Sequence, residues 1–197
     1  MGDEFALDGL PLRWQVPPVS WSHTGGTGLI AVAGPRTDLF VDPGGSTETL
    51  NAPRLLGMPT GDFTLTARVA VDFAADFDAG VLLLHADDRT WAKLCFEYSP
   101  QGEPMVVSVV TRGVSDDANA FVVDGREVWL RIARIGAAYV FHASTDGKFW
   151  QFVRHFALSG EPAVGFVVQS PTGEGCTATF ADVHFAAERL ADLRGGA

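Results

Sequence analysis

The sequence predicts an all-β protein, a sandwich of two sheets packed face to face, and three observations lead there. Apolar and polar residues alternate with a period of two over many short segments, as half-buried strands require. Gly, Pro, Asn and Asp clusters separate these segments at the short spacing expected of packed sheets. No stretch of helical period is long enough to stand as a helix of its own. A chain of 197 residues with 22 Gly, 14 Phe and 47 % hydrophobic residues has the composition of strands and turns, and such sandwiches are commonly one domain. The expected division is a sandwich over 1–187 and a short tail over 188–197.

The elements follow in chain order. Leu12 to Val16 and Val19 to His23 are short alternating runs broken by Pro17-Pro18, which suits an edge or corner. Gly25-Gly26-Thr27-Gly28 reads as a plain turn into Leu29 to Ala33, since a phosphate-cradling loop would lead into a helix. Thr37 to Val41 follows. Asp42 to Met58, rich in Pro and Gly, reads as a long loop of the kind that often covers a binding site. From Phe63 to Phe73 the alternation is regular. Gly80 to His85, Trp91 to Ser99 and Met105 to Arg112 form an antiparallel meander, after which Gly113 to Asn119 reads as a polar loop and Ala120 to Val123 as a short strand. Val128 to Ile135, Ala138 to Thr145 and Phe149 to Phe156 form a second meander, with Asp146-Gly147 a strong turn signal. Ala163 to Ser170 and Thr177 to Phe185 are the last strands, and Ala186 to Leu193 suits about two helical turns that dock weakly.

Charge narrows the function classes. With 14 Lys and Arg against 24 Asp and Glu, the net charge of −10 opposes a phosphate backbone or an anionic membrane, so neither nucleic acid nor membrane is an expected partner. The N-terminal residues have no signal-like apolar run, and the expected location is cytoplasmic. Cys95 and Cys176 lack CxxC spacing and read as reduced, packed thiols. The five His have no metal-ligand spacing, and Asp87-Asp88 and Asp116-Asp117-Asn119 are explained by turn chemistry, so no metal and no cofactor are expected.

The second meander, Val128-Trp129-Leu130-Arg131-Ile132-Ala133-Arg134 with Tyr139, Phe141, Ser144-Thr145-Asp146-Gly147-Lys148 and Trp150, resembles concanavalin A-like lectin/glucanase jelly rolls, including accessory modules of glycosidases. Phe77-Asp78-Ala79-Gly80, Trp91 to Glu97, Ser108 to Thr111 and Ser115-Asp116 narrow the likeness to the regulation-of-enolase-like family of such domains. In that family Ser-Asp is usually followed by Trp, and here Asp117 stands in that place. The resemblance implies the sandwich fold and, by analogy, carbohydrate binding on a concave sheet.

In the first meander Trp91, Lys93 and Glu97 point to one side of their strand, and Ala92, Leu94 and Phe96 to the other. Lys93 and Glu97 are roughly 13 Å apart along the strand at about 3.3 Å per residue, so their ion pairs would be cross-strand. Ser108 and Arg112 of the next strand join the polar face if the registers agree. Trp129 and Arg131 oppose the core-type Leu130 and Ile132 and are candidates for the same concavity, the Trp as a stacking platform. His85 and Gln169 fall near strand ends, where polar residues are unremarkable. The chain has no ExDxxE pairing of carboxylates along one strand. The expected function is a non-catalytic binding module for a carbohydrate or similar polyhydroxylated ligand, using Trp91, Lys93, Glu97, Ser108, Arg112, Trp129 and Arg131. The alternatives are a glycan-active hydrolase or lyase, and an intracellular regulatory or interaction protein that binds no sugar.

Overall fold

A computed structural model of the chain describes residues 4–7 and 9–196; residues 1–3, 8 and 197 of the expected sandwich and tail lie outside the described residues. The strands are β1 Glu4–Leu7, β2 Leu10–Val16, β3 Ser20–His23, β4 Leu29–Val32, β5 Leu39–Val41, β6 Glu48–Leu50, β7 Arg54–Gly57, β8 Phe63–Val71 and β9 Ala79–Asp87. They continue as β10 Thr90–Tyr98, β11 Pro104–Arg112, β12 Val114–Val122, β13 Glu127–Ile135, β14 Ala138–Ser144, β15 Gln151–Ala157, β16 Ala163–Gln169 and β17 Thr177–Ala186. No helix occurs among the described residues.

Two antiparallel sheets form the sandwich. The first has eight strands in the order β1-β2-β7-β16-β9-β10-β11-β12, the second seven in the order β15-β14-β13-β8-β17-β4-β3, and β5 and β6 form a separate hairpin. The period-two alternation explains why the sheets meet: each strand turns one apolar row inward. Leu82, Leu84, Leu94 and Phe96 of the first sheet share one core with Leu65, Val69, Leu130 and Phe141 of the second. Each such side chain contributes about 1.5–3 kcal/mol when fully buried. Gly80 belongs to this contact, since a Cβ there would lie 2.7 Å from a methyl of Val69.

The other side of the first sheet is unusual for a sandwich face, because it is apolar as well. Val81, Leu83, Trp91, Cys95, Val107, Val109 and Val167 form a second cluster, covered by Leu39 and Ala52 of the segment that carries the β5–β6 hairpin. This segment is a strap laid across the sheet. At one end Thr37 and Ser170 exchange backbone hydrogen bonds of 3.1 Å, and at the other the Val41 N–H donates to Ser115 Oγ at 3.0 Å.

Three expectations change. Asp42 to Met58 is not one loop: it closes the hairpin through β6 and then supplies β7, which lies between β2 and β16. Four residues, Arg54-Leu55-Leu56-Gly57, are too few to display a period, and the prolines around them mask the strand. Of the expected loop Gly113 to Asn119, all but Gly113 belongs to β12, the edge strand, whose polarity follows from having solvent on its open flank. The tail forms no helix. It lies along the second sheet, where Leu190 joins Ala133 and Val140 and the Leu193 carbonyl meets His142 Nε2 at 2.9 Å.

Candidate ligand-binding site

The site grows from β10. Alternation sends Lys93 and Glu97 to the strap side of the first sheet, while Leu94 and Phe96 enter the core. Register then selects their neighbours. Lys93 lies opposite Leu83 on β9 and Val109 on β11, and Val109 lies opposite Asp117 on β12. Glu97 lies opposite Ala79, and Ala79 opposite Gln169 on β16. The strap adds Asp38 and Phe40, and the turn before β9 adds Phe77. These eight residues, with Asp38, Phe40, Phe77, Glu97, Asp117 and Gln169 around Lys93 and Val109, enclose a cavity of about 210 Å³.

Lys93 is the centre of the site's electrostatics. Only 2 % of its side chain is exposed, yet its ammonium is paired: Nζ lies 3.2 Å from Asp38 Oδ1 and 3.1 Å from Gln169 Oε1. Burial opposes the charge, and the attraction of Asp38 foremost outweighs it, so the ammonium is held above its usual range. Both partners are fixed from behind. The Asp38 N–H donates to Asn51 Oδ1, its carboxylate accepts from the Leu39 N–H at 2.7 Å, and its carbonyl accepts from the Ala52 N–H. Gln169 Nε2 reaches the Phe77 carbonyl at 3.5 Å.

The turn that carries Phe77 is built on a buried carboxylate. Asp78 accepts from the Ala74 and Ala75 N–H groups at 2.9 Å each and from Ser170 Oγ at 2.6 Å. Phe77 is held there at φ 69°, a left-handed conformation that a bulky residue seldom adopts. Such strain persists only where the surroundings over-determine it, and it tends to cluster at ligand clamps.

Glu97 differs from Asp38 in having no counter-ion to itself. Burial pushes its carboxyl up to about 8, with Asp117 and Asp38 adding to the rise and Lys93 pulling against them. The Lys93 charge is already directed at Asp38, which is why burial prevails at Glu97. At neutral pH Glu97 is therefore largely protonated and can donate a hydrogen bond as well as accept one. Asp117, an exposed residue on the edge strand, is pushed up in the same way, by desolvation first and with Lys93 opposing.

Of the residues expected to bind ligand, the structure brings Trp91, Lys93 and Glu97 to one face and separates the rest. Trp91 is fully buried under the second apolar cluster, its ring 5.6 Å from Lys93 Nζ, so it supports the site from beneath. Ser108 lies opposite Leu94 and so faces the other sheet, where Arg154 reaches it from β15 at 3.4 Å. Arg112 has the same parity and donates to the Ala157 carbonyl at 2.8 Å. Ser108 and Arg112 thus miss the Lys93 face by one step of register. Trp129 and Arg131 sit on the outer face of the second sheet, on the far side of the sandwich. Arg68 lies over Trp129, and Arg131 stacks 3.7 Å from the centre of the Trp150 ring while bonding Thr66 and the Gly196 carbonyl. The two share a face, as alternation requires, but the face belongs to the second sheet, because alternation reports a side and never which sheet owns it. Sequence reasoning missed Asp38, Phe40, Phe77 and the role of Asp117. The one available signal was an acid, Asp38, directly ahead of the apolar run Leu39-Phe40-Val41.

Among the described residues no three His, Cys, Asp or Glu side chains are grouped to hold a metal ion, Cys95 and Cys176 are unpaired and buried, and no helix is long and apolar enough to cross a membrane.

The two sheets, their order and the covered outer face define a concanavalin A-like jelly-roll sandwich. Residues 14–188 match the model of a family described as protein of unknown function (DUF1349), and the chain belongs to that family. A crystal structure of a functionally unknown protein from Saccharomyces cerevisiae is similar at 26 % identity and a TM-score of 0.82, over 90 % of this chain and 96 % of that one. The GH43 BlXynB protein from Bacillus licheniformis has 16 % identity and a TM-score of 0.70 over 94 % of this chain, which spans 38 % of that longer protein. The carbohydrate-binding module CBM66 from Bacillus subtilis has 14 % identity and a TM-score of 0.52, over 87 % of this chain and 94 % of that one. At these identities the last two are likenesses of fold. A comparison with curated proteins gave no match.

Proposed function

We propose that the protein is a non-catalytic binding module for a carbohydrate or similar polyhydroxylated ligand, and that the ligand seats between the strap and the first sheet. The observation that carries this reading is the lining of the cavity. Phe40 and Phe77 supply aromatic rings, and Gln169, Asp38, Asp117 and a protonated Glu97 supply donors and acceptors at one small cavity. A volume of about 210 Å³ suits one sugar ring. The likeness of fold to the carbohydrate-binding module CBM66 lends support. Of the seven residues expected from sequence, Lys93 and Glu97 are the proposed contacts, with Trp91 as their support. A cytoplasmic location remains part of the proposal.

The test is a glycan array followed by calorimetry on any hit. Binding that is lost in Lys93→Met, with the β-sheet circular dichroism unchanged, is the expected result. An array without hits would favour the intracellular regulatory or interaction protein that binds no sugar.

One observation favours the enzymatic alternative: a carboxyl raised to about 8 at Glu97 beside the carboxyls of Asp38 and Asp117 is the kind of divergence that general acids and bases require. Incubation with plant and microbial polysaccharides, followed by measurement of reducing ends and unsaturated products, separates the two. Turnover that disappears in Glu97→Gln would replace the binding module with a hydrolase or lyase.

A further inference from the structure

The charges around the cavity do not balance, and the imbalance bears on which sugar would fit. Three carboxyl groups and one ammonium line it. The ammonium of Lys93 is committed to Asp38 at 3.2 Å, and the guanidinium that acts on Asp117, that of Arg154, is committed to Asp116 at 2.9 Å. Glu97 and Asp117 are thus left facing the same small space with no cation of their own. Two carboxylates so placed resist ionising together, and what relieves them is a positive charge brought in from outside. The upward displacement of both carboxyls agrees with that geometry. The two aromatic residues at the same cavity, Phe40 and Phe77, present negative ring faces, which also favour a cation over an anion.

Resting on the reading of the site as a sugar pocket, we infer that its preferred ligand is an aminated sugar, with the protonated amino group directed to Glu97 and Asp117 and the ring against Phe40 and Phe77. Lys93 and Gln169 then serve the neutral hydroxyls. An acidic sugar is disfavoured by the same argument, since its carboxylate would face Asp117 and hold Glu97 to its proton, in a space whose one cation is already paired. An N-acetylated sugar keeps the shape but loses the charge.

Calorimetry on the intact protein at about pH 6.5, where a sugar amine is largely protonated, discriminates with four small probes: glucosamine, N-acetylglucosamine, glucose and glucuronate. Glucosamine should bind about tenfold or more tighter than N-acetylglucosamine or glucose, a ratio that one modest charge contact accounts for, and glucuronate should not bind. Asp117→Asn, a change on an exposed edge strand that leaves the core untouched, should erase most of the preference for glucosamine, read as the ratio of glucosamine to glucose affinity within the same variant. Equal binding of glucose and glucosamine would overturn the charge argument and leave the sugar pocket standing. Ethanolamine, added as a fifth probe without a sugar ring, binding as tightly as glucosamine would do the reverse, keeping the amine and removing the sugar. Failure of all four probes would overturn both.

Discussion

Lys93 and Asp38 form an ion pair whose members are not equally buried, and that asymmetry makes a prediction. The Lys93 side chain is 2 % exposed and that of Asp38 is 18 % exposed. Asp38→Asn strands a buried ammonium, which typically costs about 3–5 kcal/mol. Lys93→Met instead leaves a carboxylate that can reach water and fills the space with an apolar chain of similar length, so about 1 kcal/mol is the expected cost. Urea unfolding of the two variants should give that order, and the reverse order would mean that Asp38 is the dehydrated partner. Glu97 carries a second prediction. Its folded-state value of about 8 lies above its ordinary 4.5, so the folded form holds a proton that the unfolded chain releases. The stability this proton confers is fully present below pH 4.5 and is lost as pH rises toward 8. Glu97→Gln, which keeps the shape of the protonated form, should match the wild type near pH 4 and exceed it on the order of 2 kcal/mol near pH 8, the half-buried carboxyl justifying less than the full shift. A parallel pair of stability curves against pH would show that Glu97 is not desolvated. A carboxyl that lowers stability where it stands is typical of a residue kept for function.

The strap is the element that turns a sheet face into a cavity. Its hold near β5 runs through Ser115, which accepts from the Val41 N–H at 3.0 Å and lies 3.0 Å from Thr111 Oγ1. Ser115→Ala removes both contacts in a buried place and should cost about 1–2 kcal/mol. The distinguishing readout is hydrogen exchange. The Val41 amide should lose protection while amides of β8 and β13 keep theirs, because the strap is outside the shared core. Uniform loss across the sheets would mean that strap and sandwich open as one unit. The close approach of β7 to β16 beneath the strap depends on Gly165, where a Cβ would stand 2.0 Å from the Leu55 carbonyl oxygen.

At the scale of the molecule, two sheets sharing a core and a second apolar cluster on one outer face account for a chain in which 47 % of residues are hydrophobic. Neither cluster is stapled. Cys95 and Cys176 are unpaired, and burial raises both thiols, Cys176 to about 12, so neither is a thiolate at neutral pH. The thermal midpoint should therefore be the same with and without reductant, and the far-ultraviolet spectrum should be that of sheet with little helix. A midpoint that falls on reduction would point to a disulfide formed between chains.

What the sequence determined by itself is whatever depends on near neighbours along the chain. The alternation from Phe63 to Phe73, the two meanders and the Asp146-Gly147 turn are local signals, and the strands stand where those signals place them within a residue or two. The facing of Lys93 and Glu97 is equally local, because alternate side chains must point alike. Tertiary structure decided everything that depends on which strands come together. Asp38 is 55 residues from Lys93, and Gln169 is 76 residues from it in the other direction. No period links them. Ser108 and Trp129 carry the same kind of polar or aromatic signal as the residues of the cavity, yet register sends Ser108 to the inner face and sheet order sends Trp129 to the far side. Covering of the outer face by the strap, and with it the change of Lys93 from a surface charge to a buried one, follows from contacts between segments whose sequences contain no mark of each other.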